Sequence, residues 1–339
     1  MTISFIIPVY NGSGFIVRCL DSITNLNLPE KEYEIIVVDD CSTDDTCAVV
    51  NDYAVRHPQV KVFCQPENHR QGAARNRGVK ECCGEYVTFI DADDIVLHGF
   101  IHSFDIIKAE QTDLVYGFME IEKAGGIITK HQLQIIPAKQ MSGTEFAETY
   151  AQERVFSFPP SFVYRRQFLL DVNGFFIEDR QHEDRDWLAN IIVQANSVFV
   201  NPNFTYRYCN NPNSTCKAPK YSTIFDHVAS GIRHIDLSKK LSNKTPNMAS
   251  CLYKLGTDEI YFYLRFRNLT RYPWKENKDF NDEQHLRPLL FDLRRICREN
   301  PMPRQINIIA CHPDFTRYCL FIMVPVLRVF RNIKHFNAE

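Results

Sequence analysis

A mostly parallel α/β sheet followed by a helical C-terminal region is the fold class predicted for this chain, on three observations. Short, continuous apolar runs near the N-terminus have the length and composition of strands buried on both faces. Segments with helical spacing separate them, which is the alternation of a parallel sheet with crossover helices. From about Tyr221 onward the pattern turns mainly helical.

The elements follow in order. Ile3-Ser4-Phe5-Ile6-Ile7 is a strand ended by Pro8, and Phe15 to Ile23 is a helix with Phe15, Cys19 and Ile23 on one face. Tyr33 to Val38 is a second strand, ended by Asp39-Asp40. Asp44 to Arg56 is a helix, with Thr43 or Asp44 as its N-cap. Val60 to Cys64, Gly72 to Glu81 and Tyr86 to Ile90 complete a strand, helix, strand series that stops at Asp91. Leu114 to Ile121 and Ile127 to Ile136 are strands around Gly125-Gly126. Ser142-Gly143-Thr144-Glu145 has capping-box spacing and starts a helix. Glu183 to Ala195 is a helix with Trp187, Ile191 and Ile192 on its apolar face. Helices follow at Phe225–Leu241, Met248–Asn268 and Asp282–Glu299.

The bulk numbers set bounds on function. The chain has 339 residues, of which 45% are hydrophobic and 24% charged, as in an ordinary folded protein. A net charge of -2 argues against nucleic-acid binding driven by charge. Met1 to Val9 runs straight into a strand pattern with no basic start, so a cytoplasmic chain is the expectation. The 12 cysteines include no CxxC pair, and are expected to be reduced and mostly buried. The apolar run Cys319 to Leu327, within Tyr318–Lys334, is far shorter than the ~20 residues of a membrane-spanning helix. Flanking Arg317, Arg328, Arg331 and Lys334 fit a peripheral membrane contact, or a helix docked on the body.

In parallel sheets, ligands bind outside the carboxyl ends of the strands. Here Tyr10-Asn11, Asp39-Asp40, Asn68 and Asp91-Ala92-Asp93-Asp94 all follow strands at that edge, so four loops converge on one crevice. Three carboxylates within four residues repel one another unless a cation or hydrogen-bond donors offset them. A hard cation such as Mg2+ or Mn2+ takes such ligands together with substrate phosphates, whereas an Asx turn is the structural alternative. Asp39 can accept from a ribose hydroxyl or a base N–H, Tyr10 can stack on a base, and Arg75 can reach a diphosphate or a base. Glu183-Asp184 alone reads as capping, since a carboxylate at a helix N-terminus complements the dipole.

Together these residues resemble glycosyltransferase family 2, the inverting enzymes with the GT-A fold. The resemblance rests on Ile7-Pro8-Val9-Tyr10-Asn11, Val37-Val38-Asp39-Asp40-Cys41-Ser42-Thr43-Asp44, Asn68 through Gly72 to Ala74-Arg75-Asn76, and Asp91-Ala92-Asp93-Asp94. Glu183-Asp184 matches the later Glu-Asp motif, with His182 where a small or acidic residue is usual. It implies a GT-A Rossmann-like sandwich over residues 1–215, with a nucleotide-binding half (1–100) and an acceptor half (101–215). Residues 216–339 then form a mainly helical region with a basic apolar tail. The resemblance also implies a uridine pocket of Pro8, Tyr10 and Asp39, with Asn11, Asn68 and Arg75 on the nucleotide side. Asp91 approaches the ribose, Asp93 ligates Mg2+ or Mn2+, and Asp184 is the catalytic base, ahead of Glu183. The implied partners are a nucleotide-sugar donor, a UDP-sugar by preference, and a glycan or lipid-linked acceptor in surface polysaccharide assembly.

Two alternatives belong to other classes. A non-catalytic nucleotide-sugar binder or assembly protein would keep the fold without turnover. A dinucleotide-dependent oxidoreductase draws on Gly12-Ser13-Gly14 after the first strand, but Val17 stands where the third fingerprint glycine belongs.

Overall fold

The computed structural model describes residues 1–131, 140–152, 159–180, 183–211, 222–265 and 295. The chain divides into two compact units, Met1–Lys217 with Asn243–Met248, and Ala218–Ser242 with Ala249–Glu339. Residues 132–136, His182, the helix at 282–299 apart from residue 295, and the tail at 318–334, each read from sequence, lie outside the described residues. Among the described residues no helix is long and apolar enough to cross a membrane.

The first unit is built on one sheet. Strands β1 (Ile3–Val9) and β2 (Tyr33–Asp39) are buried along their whole length. β3 (Val60–Cys64), β4 (Tyr86–Phe89), β5 (Ile95–Val96), β6 (Leu114–Lys123), β7 (Ile127–His131), β8 (Gln140–Met141), β9 (Phe162–Arg165) and β10 (Val198–Tyr208) complete it. The order is β3-β2-β1-β4-β9-β6-β10-β5, with β7 on β6 and β8 on β10. β1 pairs in parallel with β2 and β4, β2 with β3, and β6 with β10, while β9 runs antiparallel between β4 and β6. The sheet is therefore mixed α/β and mostly parallel.

Helices α1 (Ile16–Thr24), α2 (Thr46–Arg56), α3 (Arg70–Glu81), α4 (Phe100–Ala109), α5 (Gly143–Gln152), α6 (Arg166–Asp171) and α7 (Asp184–Gln194) belong to this unit. In α1 the buried side chains are Ile16, Cys19, Leu20 and Ile23, the i, i+3, i+4, i+7 stripe that seats a helix on a sheet. The capping spacing at Ser142 is realised, with Glu145 N donating to Ser142 Oγ at 3.2 Å. At α2 the expected cap shifts. Asp45 holds the N-cap position, and Asp44 Oδ1 instead accepts from Thr46 N at 3.0 Å.

Pro8 sits inside a central strand without costing a ladder bond. Ile6 O accepts Ile90 N on the β4 side, so Pro8 faces that same side two residues on, where the β1–β4 register has already ended. The expectation of mostly buried cysteines is corrected. Of the eight described, Cys19, Cys82 and Cys209 are buried, while Cys64 and Cys83 are exposed and Cys41, Cys47 and Cys251 lie between. Loop-side positions at strand and helix ends, rather than core positions, account for Cys41, Cys47 and Cys64.

In the second unit α8 (Ser222–Leu241) and most of α9 (Pro246–Arg265) pack closely. A Cβ on Gly256 would lie 2.5 Å from Gly231 O, so the two backbones touch where both residues are glycine. His234 Nδ1 and Glu259 Oε2 pair at 3.0 Å inside that contact.

Candidate active site

Strand order reverses at β1, which has β2 on one side and β4 on the other. The carboxyl edge of such a switch point is where an α/β sheet leaves a crevice. The end of β2 carries Asp39 to this edge, and the loops after β1 and β4 carry Asn11 and Asp91–Asp94.

Asn11 joins two of the loops. It adopts φ 51°, a left-handed conformation that Asn tolerates better than most residues. Its Oδ1 accepts Thr43 N at 2.8 Å, and its own N–H donates to Ser42 Oγ at 2.9 Å. Asp39 is buried and accepts from Ser42 N at 3.2 Å and from Ser42 Oγ. The turn therefore already engages both of its oxygens. Asn68 Nδ2 donates to Asp40 O at 3.0 Å and so holds the loop after β3 against the end of β2. Tyr10 is 48% exposed, which leaves its ring available for stacking.

The Gly12–Gly14 turn is tied inward. Gly12 N donates to Thr46 Oγ1 at 2.7 Å and Ser13 N to Asp44 Oδ2 at 3.2 Å. A dinucleotide fold needs such N–H groups for the pyrophosphate. Here they are consumed by the protein, which argues against the oxidoreductase alternative.

The three carboxylates after β4 have different partners. Asp91 Oδ1 accepts from Arg75 Nη2 at 2.8 Å and from Gln71 Nε2 at 2.7 Å. Asp93 Oδ2 accepts from Asn211 Nδ2 at 2.8 Å, and its backbone oxygen accepts from Arg18. Burial, then the neighbouring charge of Asp91, raises the Asp93 carboxyl above its ordinary range despite the Asn211 bond. Asp94 is fully buried. Its carboxylate takes the Tyr206 hydroxyl and, at 2.7 Å, Cys209 N. Asp94 thus does more than hold the turn: it fastens the end of β10 to the Asp91–Asp94 loop.

Arg75 connects this loop to the Glu-Asp motif. It is 2% exposed, and donates from Nη2 to Asp91 Oδ1 and from Nη1 to Glu183 Oε1, both at 2.8 Å. Its guanidinium lies 5.1 Å from the Phe176 ring centroid. Burial weakens its charge, but Asp91 and Glu183 more than offset this and hold its pKa above the usual value. The close approach needs Gly72, since a Cβ there would lie 2.6 Å from Ile177 O. Asn76 secures the same segment, donating to Phe176 O at 2.9 Å and accepting from Phe176 N at 2.8 Å. Trp187 stacks on Phe176 at 3.9 Å, which seats the first turns of α7 under β4.

Glu183 and Asp184 are adjacent but not equivalent. Glu183 is buried against Arg75, whereas Asp184, the first residue of α7, is partly exposed. Burial pushes the Glu183 carboxyl up to about 7, with Arg75 pulling down and Asp184 pushing up. Between the ordinary 4.5 and about 7 the folded protein holds a proton that the unfolded chain has released. Stability from this group is therefore full below the lower value and is lost as pH rises through about 7. Glu183→Gln is expected to flatten that slope in urea midpoints measured from about pH 5 to about pH 8; an unchanged slope would place the titration elsewhere.

Sequence reading missed the supporting residues Arg18, Gln71, Asn76, Tyr206 and Asn211. Gln71 and Asn76 stood in the segment from Asn68 to Asn76 already singled out, and neither carried an assigned partner.

Residues 4–172 match the family model described as glycosyl transferase family 2. The chain belongs to glycosyltransferase family 2. Poly(ribitol-phosphate) beta-glucosyltransferase of Bacillus spizizenii is 29% identical to this family 2 chain over 212 residues, which is 61% of this chain and 32% of the relative. The chain thus spans about a third of that relative's length. The crystal structure of S. aureus TarS 1-349 in complex with UDP-GlcNAc matches with a TM-score of 0.64 at 21% identity, covering 90% of this chain and 83% of that one. The mannosyltransferase PcManGT of Pyrobaculum calidifontis, solved with GDP-Man and Mn2+, has a TM-score of 0.50 at 16% identity, covering 98% and 84%. The shared fold is GT-A.

Proposed function

We propose that this family 2 protein is an inverting glycosyltransferase that moves a sugar from a UDP-sugar to an acceptor hydroxyl in the assembly of a surface glycan. The observation that carries this reading is the Arg75 bridge, which couples Asp91 on the donor-side loop to Glu183 beside Asp184. A nucleotide binder without turnover has no need of that coupling.

The residues divide the reaction between them. Pro8, Tyr10, Asn11, Asp39 and Asn68 form the edge that takes the nucleoside, with Asp91 toward the ribose. Asp91 and Asp93 are hard oxygen donors, and the Asp93 carboxyl, raised first by burial and then by the charge of Asp91, is one that a divalent cation would hold in its charged form. These residues fit Mg2+ or Mn2+, whose Lewis acidity offsets charge on the departing diphosphate. Asp184 takes the proton from the acceptor hydroxyl as its oxygen bonds to the sugar C1. The C1–O bond to the diphosphate breaks on the opposite face, UDP leaves with that electron pair, and the configuration inverts. Glu183 is unsuited to the base role, because its Oε1 is engaged by Arg75 in the interior. The glucosyl- and N-acetylglucosaminyl-transferase relatives named for poly(ribitol-phosphate) support a polymeric acceptor.

Incubating the protein with a panel of UDP-sugars and Mn2+, and measuring UDP release, tests the proposal. One UDP-sugar is expected to turn over, with EDTA abolishing release and added Mn2+ restoring it. UDP binding without turnover of any UDP-sugar would favour a nucleotide-sugar binder.

A further inference from the structure

Two thiols outside the residues assigned above meet beside Asp39. Cys47 lies in the first turn of α2 and Cys64 ends β3, directly opposite Asp39 in the β2–β3 register. Their Sγ atoms are 3.1 Å apart, about 1 Å beyond the ~2.05 Å of a disulfide bond. Both sulfurs and an Asp39 carboxylate oxygen fall within 4.8 Å of one another. Cys64 is exposed and Cys47 partly exposed, so a small reagent can reach the pair.

The two sulfurs have different surroundings. Asn51 Nδ2 donates to Cys47 Sγ at 3.4 Å. Partial desolvation, then the Cys47 hydrogen bond and the charges of Cys47 and Asp39, pushes the Cys64 thiol up to about 11, with Arg77 opposing. Cys47 is therefore the attacking sulfur and Cys64 the resolving one.

We propose that Cys47 and Cys64 form a reversible disulfide in the presence of a low-molecular-weight disulfide, and that its closure weakens nucleotide binding at Asp39. The second half rests on the proposed function. In the first step the Cys47 thiolate attacks one sulfur of the reagent and expels a thiolate, leaving a mixed disulfide. Cys64 then releases its proton to solvent and displaces the remaining reagent thiol, forming the Cys47–Cys64 bond. Two protein thiols lose two electrons and two protons, and the reagent disulfide is reduced to two thiols. Closing the gap by about 1 Å draws the first turn of α2 toward β3. That turn holds the loop after β1 through Thr46 and Gly12, and the residue after Cys64 holds Asp39, with Gln65 N donating to Asp39 O at 2.8 Å.

The test treats the reduced full-length protein with oxidised glutathione. Free thiols and cross-linked peptides are then measured, and UDP affinity is followed by calorimetry. The expected result is loss of two thiols, a peptide joining Cys47 to Cys64, and UDP affinity about tenfold weaker, or about 1.4 kcal/mol. Dithiothreitol is expected to reverse all three. Before treatment Cys47→Ser and Cys64→Ser are expected to bind UDP like the reduced protein; on treatment neither forms the cross-link, and Cys64→Ser stops at the Cys47 mixed disulfide. An unchanged thiol count, or a cross-link through Cys41 instead, overturns the pair. A Cys47–Cys64 cross-link with unchanged UDP affinity overturns the coupling. If the reduced protein fails to bind UDP, the proposed function fails, while the peptide map still decides the disulfide.

Discussion

Asp184→Asn is expected to lower the rate of sugar transfer by about 10²- to 10⁴-fold while leaving UDP affinity nearly unchanged. The substitution keeps the size and shape of the side chain and removes its negative charge, and with it the ability to accept a proton. UDP affinity should persist because the donor-side contacts, Arg75 to Asp91 and Asn211 to Asp93, do not pass through Asp184. Single-turnover kinetics with a competent UDP-sugar and acceptor, alongside UDP calorimetry, separates the two quantities. Near-normal transfer by Asp184→Asn would remove it as the base.

Arg75→Met is the second large effect. It keeps the aliphatic stem over Phe176 but strips both ion pairs from a residue only 2% exposed. Breaking a buried pair by removing one partner costs about 3–5 kcal/mol, because the remaining charge has no compensation. Glu183 can escape part of that cost by taking a proton, since burial already holds it up at about 7. The loss should therefore be smaller near pH 6 than near pH 8, and Arg75→Met/Glu183→Gln should recover part of it. Urea unfolding of the two single variants and the double variant gives the coupling directly. Strictly additive effects would mean that the 2.8 Å contact carries little energy.

The sequence carries the sheet edge well and its supports poorly, for physical reasons. β1 and β2 are legible because seven consecutive buried residues in each leave only one reading for the pattern. The polar clusters are legible because they interrupt those runs at the same end. β10 is not legible, because Asn201-Pro202-Asn203 breaks its pattern, and the strand resumes pairing only across register shifts on both sides of Phe204. β9 has four residues, too few to show a period, and α4 (Phe100–Ala109) is likewise unread from its pattern. Partners are harder still. Arg75 and Glu183 are 108 positions apart, and Asn211 and Asp93 are 118 apart, so no local spacing announces either contact. Asp94 shows the limit most plainly. The backbone bond from Asp94 N to Asp91 O is a local turn, but the clamp on Tyr206 exists only once β10 folds back.

The central claim is that Asp91 and Asp93 receive a nucleoside diphosphate together with a divalent cation. Calorimetric titration of UDP with and without Mn2+, in the unsubstituted protein and in Asp93→Ala, tests it most directly. UDP should bind the unsubstituted protein at least about tenfold more tightly with Mn2+, and Asp93→Ala should lose that difference while keeping its cation-free affinity. UDP affinity that ignores Mn2+, or a Mn2+ effect that survives Asp93→Ala, would contradict it.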